Sequence, residues 1–215
     1  MARHVDAMGL ALVVIASPVI AGDRCAASAP AEVKEAVRVF ESNPKRAHVL
    51  LTRANALGDP DGAFNLGLLH MKGLGVPKSQ TNALPFFRSA ATCGHTPAQL
   101  NAAQILMESS AGQAEAAKWF AAAAAGGNRT AAYNMGHMYD EGVGVRPDGA
   151  LAHRYYMMAA QQDHASAQWK LAVSYSLGNG VKKDHQRAVY WLRQAKKNGH
   201  RDAATALEAL AEPRK

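Results

Sequence analysis

The sequence predicts an all-α protein, a right-handed superhelical solenoid of antiparallel helix pairs, and three observations carry that prediction. Small residues recur at a fixed period, with Gly62, Ala98, Ala131, Ala167 and Ala203 spaced 36, 33, 36 and 36 residues apart. The apolar positions around each of them follow the rhythm of a helix rather than the alternation of a strand. A Gly-x-Gly-Val segment returns at constant phase, at 73–76, 142–145 and 178–181. A unit this short cannot bury its apolar face alone, so units stack and shield one another.

The first element along the chain reads as an export signal, in preference to a buried amino-terminal helix. Arg3 and His4 give a short basic start, although Asp6 is unusual there, and the apolar run "MGLALVVIASPVIAG" (8–22) follows. That run is shorter than the roughly 20 residues a bilayer span needs. Compact residues at Val19-Ile20-Ala21 place cleavage after Ala21, so residues 1–21 are read as a signal peptide and 22–30 as a flexible tail. Ala29 is a second cleavage position, weakened by Pro30. Arg24 before Cys25 argues against lipid attachment at that cysteine. No later stretch is apolar enough to span a membrane, and the mature product is expected to be soluble, periplasmic or secreted. Cys25 and Cys93 are the two cysteines. In an oxidising compartment they could bridge, but spacing alone does not show that they meet, and two unpaired thiols are favoured over a disulfide.

Residues 31–212 form the solenoid. A divergent first unit (31–61) pairs "EVKEAVRVFE" (32–41) with "PKRAHVLLTRANALGD" (44–59), in which Ala47, Leu50, Ala54 and Gly58 keep the register of a second helix. Four repeats follow, at 62–97, 98–130, 131–166 and 167–202. In helix A of each, Leu66, Ala102, Met135 and Leu171 precede a small residue: Gly67, Ala103, Gly136 or Ala172. The small residue lets a neighbouring helix approach closely. His70, Leu106, Tyr139 and Tyr175 complete the buried stripe.

The glycine segment comes next, and its glycines suit a left-handed helix end and a reversal. A phosphate loop is excluded, because Pro147 stands where the dinucleotide fingerprint has its third glycine and no Lys-Ser/Thr follows. Ser79, Asp148 and Asp184 are placed to cap helix B. Helix B carries Ala83, Ala116, Ala152 and Ala188, then the core knobs Phe86, Trp119, Tyr155 and Trp191, then Ala90, Ala123, Ala159 and Ala195. It closes at Gly94-His95, Gly127-Asn128, Asp163-His164 and Gly199-His200. The second repeat has "ESSAGQAE" (108–115) instead of the glycine segment, which accounts for its three missing residues. "AATALEALAE" (203–212) is a lone capping helix ending at Pro213.

The joint pattern resembles the Sel-1-like repeat, a relative of the tetratricopeptide repeat. It is fullest in "AAYNMGHMYDEGVGVRPDGALAHRYYMMAAQQDH" (131–164), clear in 62–95 and 167–200, and weaker in 98–128. The resemblance implies a non-catalytic adaptor holding a protein or peptide partner, with helix A side chains lining the concave groove. By position, those side chains are Phe64, Asn65, Leu68 and Met71 in the first repeat, and Tyr133, Asn134, His137 and Asp140 in the third. In the fourth they are Trp169, Lys170 and Val173. Asn65, Asn101 and Asn134 either hydrogen-bond an extended peptide backbone or tie helix A to its neighbour.

Two other function classes compete. Some cysteine-rich relatives imply a hydrolase acting on β-lactams or peptidoglycan, and "SNPK" (42–45) has the Ser-x-x-Lys form. Here Ser42 falls in a surface turn with Pro44 inside the tetrad, no Lys-Thr-Gly follows, and the paired cysteines of those relatives are missing, so catalytic residues are expected to be none. The nine histidines include no His-x-x-x-His pair on a helix face, so neither metal nor cofactor is expected. His95, His164 and His200 recur at the end of helix B, where a cation would oppose the negative end of the dipole. The other class follows from charge. The chain carries a net +7, and Lys182, Lys183, Arg187, Arg193, Lys196, Lys197 and Arg201 crowd its carboxyl-terminal end. That stretch is either an anchor for an anionic surface or acidic partner, or a solvated helix face. Nucleic acid is disfavoured for an exported chain.

Overall fold

The computed structural model describes residue 25 and residues 29–211, and no strand occurs among them. The predicted signal peptide, most of the tail and the last four residues lie outside that range. Among the described residues eleven α-helices follow one another: α1 (Pro30–Arg38), α2 (Pro44–Ala56), α3 (Pro60–Lys72), α4 (Gln80–Thr92), α5 (Thr96–Leu106), α6 (Gln113–Ala125), α7 (Arg129–Glu141), α8 (Gly149–Ala160), α9 (Ala165–Leu177), α10 (His185–Lys197) and α11 (Ala203–Ala211). A 3-10 turn at Ser110–Gly112 replaces the glycine segment of the second repeat. Each helix packs mainly on the next, which is the contact pattern of a solenoid of helical hairpins.

The caps fall where side-chain oxygens were expected. Ser79, Asp148 and Asp184 accept hydrogen bonds from the backbone N–H of Asn82, Leu151 and Arg187, respectively, satisfying donors that a helix start leaves open. Gly73, Gly142 and Gly178 end helix A in the left-handed conformation, with φ of 74°, 72° and 79°. The second glycine of each loop has a separate role. At Gly144 a Cβ would come within 2.5 Å of the Gln113 backbone, and at Gly180 within 1.9 Å of the Gly149 carbonyl oxygen. The loop of one repeat thus lies backbone to backbone on the first turn of helix B in the preceding repeat.

The tightest contact inside each hairpin is one residue beyond the expected knob. Phe86, Trp119, Tyr155 and Trp191 are half-buried, whereas Phe87, Phe120, Tyr156 and Leu192 are fully covered. A Cβ at Gly67 would sit 2.6 Å from the Phe87 ring, and one at Gly136 would sit 2.6 Å from the Tyr156 ring. The small residues of helix A therefore receive these side chains. Trp119 stays at the seam because its indole N–H needs an acceptor. It donates to the Glu115 carboxylate at 3.1 Å, which Arg88 of the preceding repeat also grips at 2.6 and 2.7 Å. The guanidinium holds that carboxyl below its usual range.

The expectation of two unpaired thiols is overturned. Cys25 and Cys93 form a disulfide with their Cα atoms 5.2 Å apart, within the reach of such a bond. Nearby, the buried Asp59 carboxylate caps α3 by accepting from Asp61 and Gly62, and its other oxygen accepts from the Ala29 N–H at 3.2 Å. The chain ahead of α1 is thereby held at two successive turns between repeats, 57–59 and 93–95.

Candidate partner-binding face

Helix A begins each repeat with a polar residue, and the histidines have an unexpected part in this. His95 and His164 serve the start of the following helix rather than the end of helix B. Their Nδ1 atoms accept from the N–H of Ala98 and Ala167, capping α5 and α9, so the acceptor nitrogen must be unprotonated. Asn128 caps α7 in the same way. The reversal just before is a residue with positive φ: Gly58, Gly94, Gly127, Asp163 or Gly199.

These histidines also account for three residues expected in the groove. Phe64 lies against the His95 ring at 4.4 Å, Tyr133 on His164 at 4.7 Å, and Trp169 on His200 at 4.7 Å. Each aromatic belongs to helix A of one repeat and each histidine to the turn into the next. The stacks therefore fasten neighbouring repeats. Asp140 and Lys170 are likewise spent on each other, at 2.9 Å, and Asp140 also accepts from Tyr156 Oη and Asn179 Nδ2. Met71 packs against the core around Ala83 and Phe87.

The three asparagines divide. Asn65 donates to the Asp61 carbonyl and Asn101 to the Pro97 carbonyl, one turn back in their own helices. Among the described residues neither ties helix A to its neighbour, and one amide N–H of each is already engaged. Asn134 makes no such bond. It faces a cleft of about 300 Å³ between α5 and α7, with Gln104, His137, Met107, Phe120 and Met138. Two further clefts open between consecutive A helices. One, about 430 Å³, includes Asn65 and Leu68 against Val37 and Phe40 of the first unit. The other, about 280 Å³, includes Trp169 and Val173 against Ala206 and Ala209 of α11.

Gln104 and Met107 were not among the expected site residues, yet the signal was there. They stand at the same register as Leu68 and Met71 in the first repeat and His137 and Asp140 in the third. Ser42 is exposed in the turn before α2, whose cap is Asn43 rather than the serine. Among the described residues, no three His, Cys, Asp or Glu side chains gather as metal ligands would, and no helix is long and apolar enough to cross a membrane.

Burial sets the histidines' protonation. It lowers the pKa of His70, His153 and His164 from 6.5, with His48, Arg187 and Arg129 respectively pushing the same way. The Nδ1 atoms of His70 and His153 are buried without a partner. The sign of the linkage follows. Below pH 6.5 the unfolded chain takes up protons that the fold refuses, so stability falls as pH drops from about 6.5 toward the depressed values. Denaturation midpoints should be flat above neutrality and decline below about pH 6.5. His153→Gln should remove part of that decline, and an unchanged slope would show that this imidazole is not the source.

Comparison with known proteins agrees with this architecture. The Sel1 repeat model matches residues 60–95, 96–128, 130–164 and 165–200, which is more than half of the chain. A Sel1 repeat protein from Oxalobacter formigenes superposes with a TM-score of 0.77 at 28% identity, covering 87% of this chain and 82% of that one. A protective antigen of uropathogenic Escherichia coli with an SLR fold gives 0.77 at 25% identity, over 87% of this chain and 43% of that one. A Neisseria meningitidis serogroup B protein is 29% identical over 164 residues, 76% of this chain, and the chain spans about a third (34%) of that relative's length. With four consecutive repeats matched and the hairpin stack in place, the chain belongs to the Sel1 repeat family.

Proposed function

We propose that this chain is a non-catalytic protein-interaction scaffold of the cell envelope, seating an extended segment of a partner protein on its helix A face. Sel1 repeat proteins are generally protein–protein interaction scaffolds, and the finer assignment to a place on this chain rests on Asn134. Alone among the three equivalent asparagines it makes no side-chain hydrogen bond among the described residues, and it lines the cleft with Gln104 and the apolar Met107, Phe120 and Met138. A backbone amide of an extended peptide matches a carboxamide donor and acceptor, and a neighbouring apolar side chain fits the floor. Placement outside the cytoplasm is supported by the apolar run at 8–22 and by the Cys25–Cys93 disulfide, a bond that persists in oxidising compartments.

The test begins with crosslinking in the native envelope to identify the partner, followed by affinity measurements with the purified pair. Asn134→Ala should weaken binding about tenfold, roughly the net worth of one or two hydrogen bonds, with helicity unchanged. Asn101→Ala, whose amide is occupied, should not. Equal losses in both, or none in Asn134→Ala, would remove the cleft from the proposal. β-lactam turnover that disappears in Ser42→Ala would overturn the non-catalytic reading.

A further inference from the structure

The fourth repeat departs from the others in charge. Residues 167–202 hold eight Lys or Arg and two Asp, a net +6 against +7 for the whole chain, whereas residues 131–166 carry a net −2. Lys182, Lys183, Arg187, Arg193, Lys196, Lys197 and Arg201 are all exposed. Of these seven, only Arg187 has an acidic partner among the described residues, Asp184 at 3.3 Å, and it also lies over the Tyr175 ring. We propose that the outer face of α10, with the turns flanking it, is a docking surface for an anionic phospholipid bilayer.

Helix geometry gathers three of these charges on one side. At about 100° per residue, Arg187, Tyr190, Arg193 and Lys197 fall within an arc of about 120°, opposite the buried Ala188, Leu192 and Ala195. The helix runs about 20 Å, and Lys182 and Lys183 extend the strip at one end while Arg201 extends it at the other. A helix dipole accommodates Lys196 and Lys197 in the last turn. It opposes Lys182, Lys183 and Arg187 at the first turn, so the dipole does not explain the strip. At its centre Tyr190 is 53% exposed, edge-on to Trp191. An aromatic ring with a polar tip among cations is the arrangement that settles at headgroup level. The clefts suited to a peptide lie elsewhere, between the A helices, whereas this outward strip offers a broad contact to a flat negative surface. An acidic peptide is therefore the less favoured occupant.

The experiment is cosedimentation of the full, disulfide-intact chain with vesicles of equimolar phosphatidylglycerol and phosphatidylcholine, and with pure phosphatidylcholine. The apolar run at 8–22 is common to every variant and should act equally on both vesicles. Binding to the phosphatidylglycerol vesicles is expected to exceed that to pure phosphatidylcholine, and the excess to fall steeply as salt rises from about 0.05 to about 0.5 M. Arg193→Glu with Lys197→Glu should reduce the partition coefficient at least ~tenfold. Tyr190→Ala should reduce it several-fold while leaving the salt slope unchanged. Lys34→Glu with Arg53→Glu, a matched reversal at the other end of the array, should leave it unchanged. Equal binding to both vesicle types, or equal losses in the two double variants, would overturn the proposal. So would displacement from phosphatidylglycerol by polyglutamate at matched charge, which would assign the strip to an acidic chain instead.

Discussion

Replacing Tyr156 with alanine is expected to destabilise the protein by about 3–5 kcal/mol, the range for deleting a buried aromatic ring. Tyr156 is 1% exposed, and it fills the space that Gly136 leaves open in helix A of its own repeat. Its ring also meets Tyr133 at 5.9 Å, and its hydroxyl donates to Asp140 at 3.3 Å. Asp140 in turn holds Lys170 and Asn179 of the next repeat. Losing the ring leaves a cavity at a junction of two repeats, where neighbours collapse only partly. Tyr156→Phe separates the contributions, because it keeps the packing and should cost about 1 kcal/mol. Urea unfolding of the three proteins measures both. A Tyr156→Ala loss no larger than that of Tyr156→Phe would show that the ring is not the keystone of the junction.

Reduction of Cys25–Cys93 is the second large effect. The bond closes a separation of 68 residues. Constraining the unfolded chain over such a loop stabilises by about 2–4 kcal/mol, with roughly 4 from chain entropy alone. A reducing agent should lower the melting temperature of the native protein and leave that of the Cys25→Ser, Cys93→Ser double variant unchanged. Position matters as well as size. The loop encloses α1 to α4, and in a stack where each unit touches only its neighbours the loss should be felt there first. Hydrogen exchange should quicken in α1–α4 before α7–α10. Uniform quickening along the array would mean that the units do not open separately.

Much of the fold was legible because its instructions are local. The period, the helices, the caps at Ser79, Asp148 and Asp184, and the left-handed ends at Gly73, Gly142 and Gly178 each depend on a few adjacent residues and their backbone preferences. The aromatic knobs were misplaced by one position, because two neighbouring positions of helix B are both apolar. Recurrence alone picked the more conspicuous tryptophans at 119 and 191 over Phe120 and Leu192. The expected groove face meets a similar limit. Register tells which way a helix position points, but not whether a residue from the following turn or repeat already occupies it, as His95 does for Phe64 and Lys170 does for Asp140.

By itself, then, the sequence determined the units: helix after helix, each turn, and the family to which the repeats conform. Only the tertiary structure decided which groups are spent between units and which remain open. It joined Cys25 to Cys93, turned the histidines into acceptors for the following helix, and left Asn134 over a cleft while Asn65 and Asn101 closed on their own backbones. The division has a physical cause. A helix, a cap or a turn is settled by energies among residues within about one turn of each other, whereas these pairings depend on how rigid hairpins lie against one another, at separations that no short stretch of chain encodes.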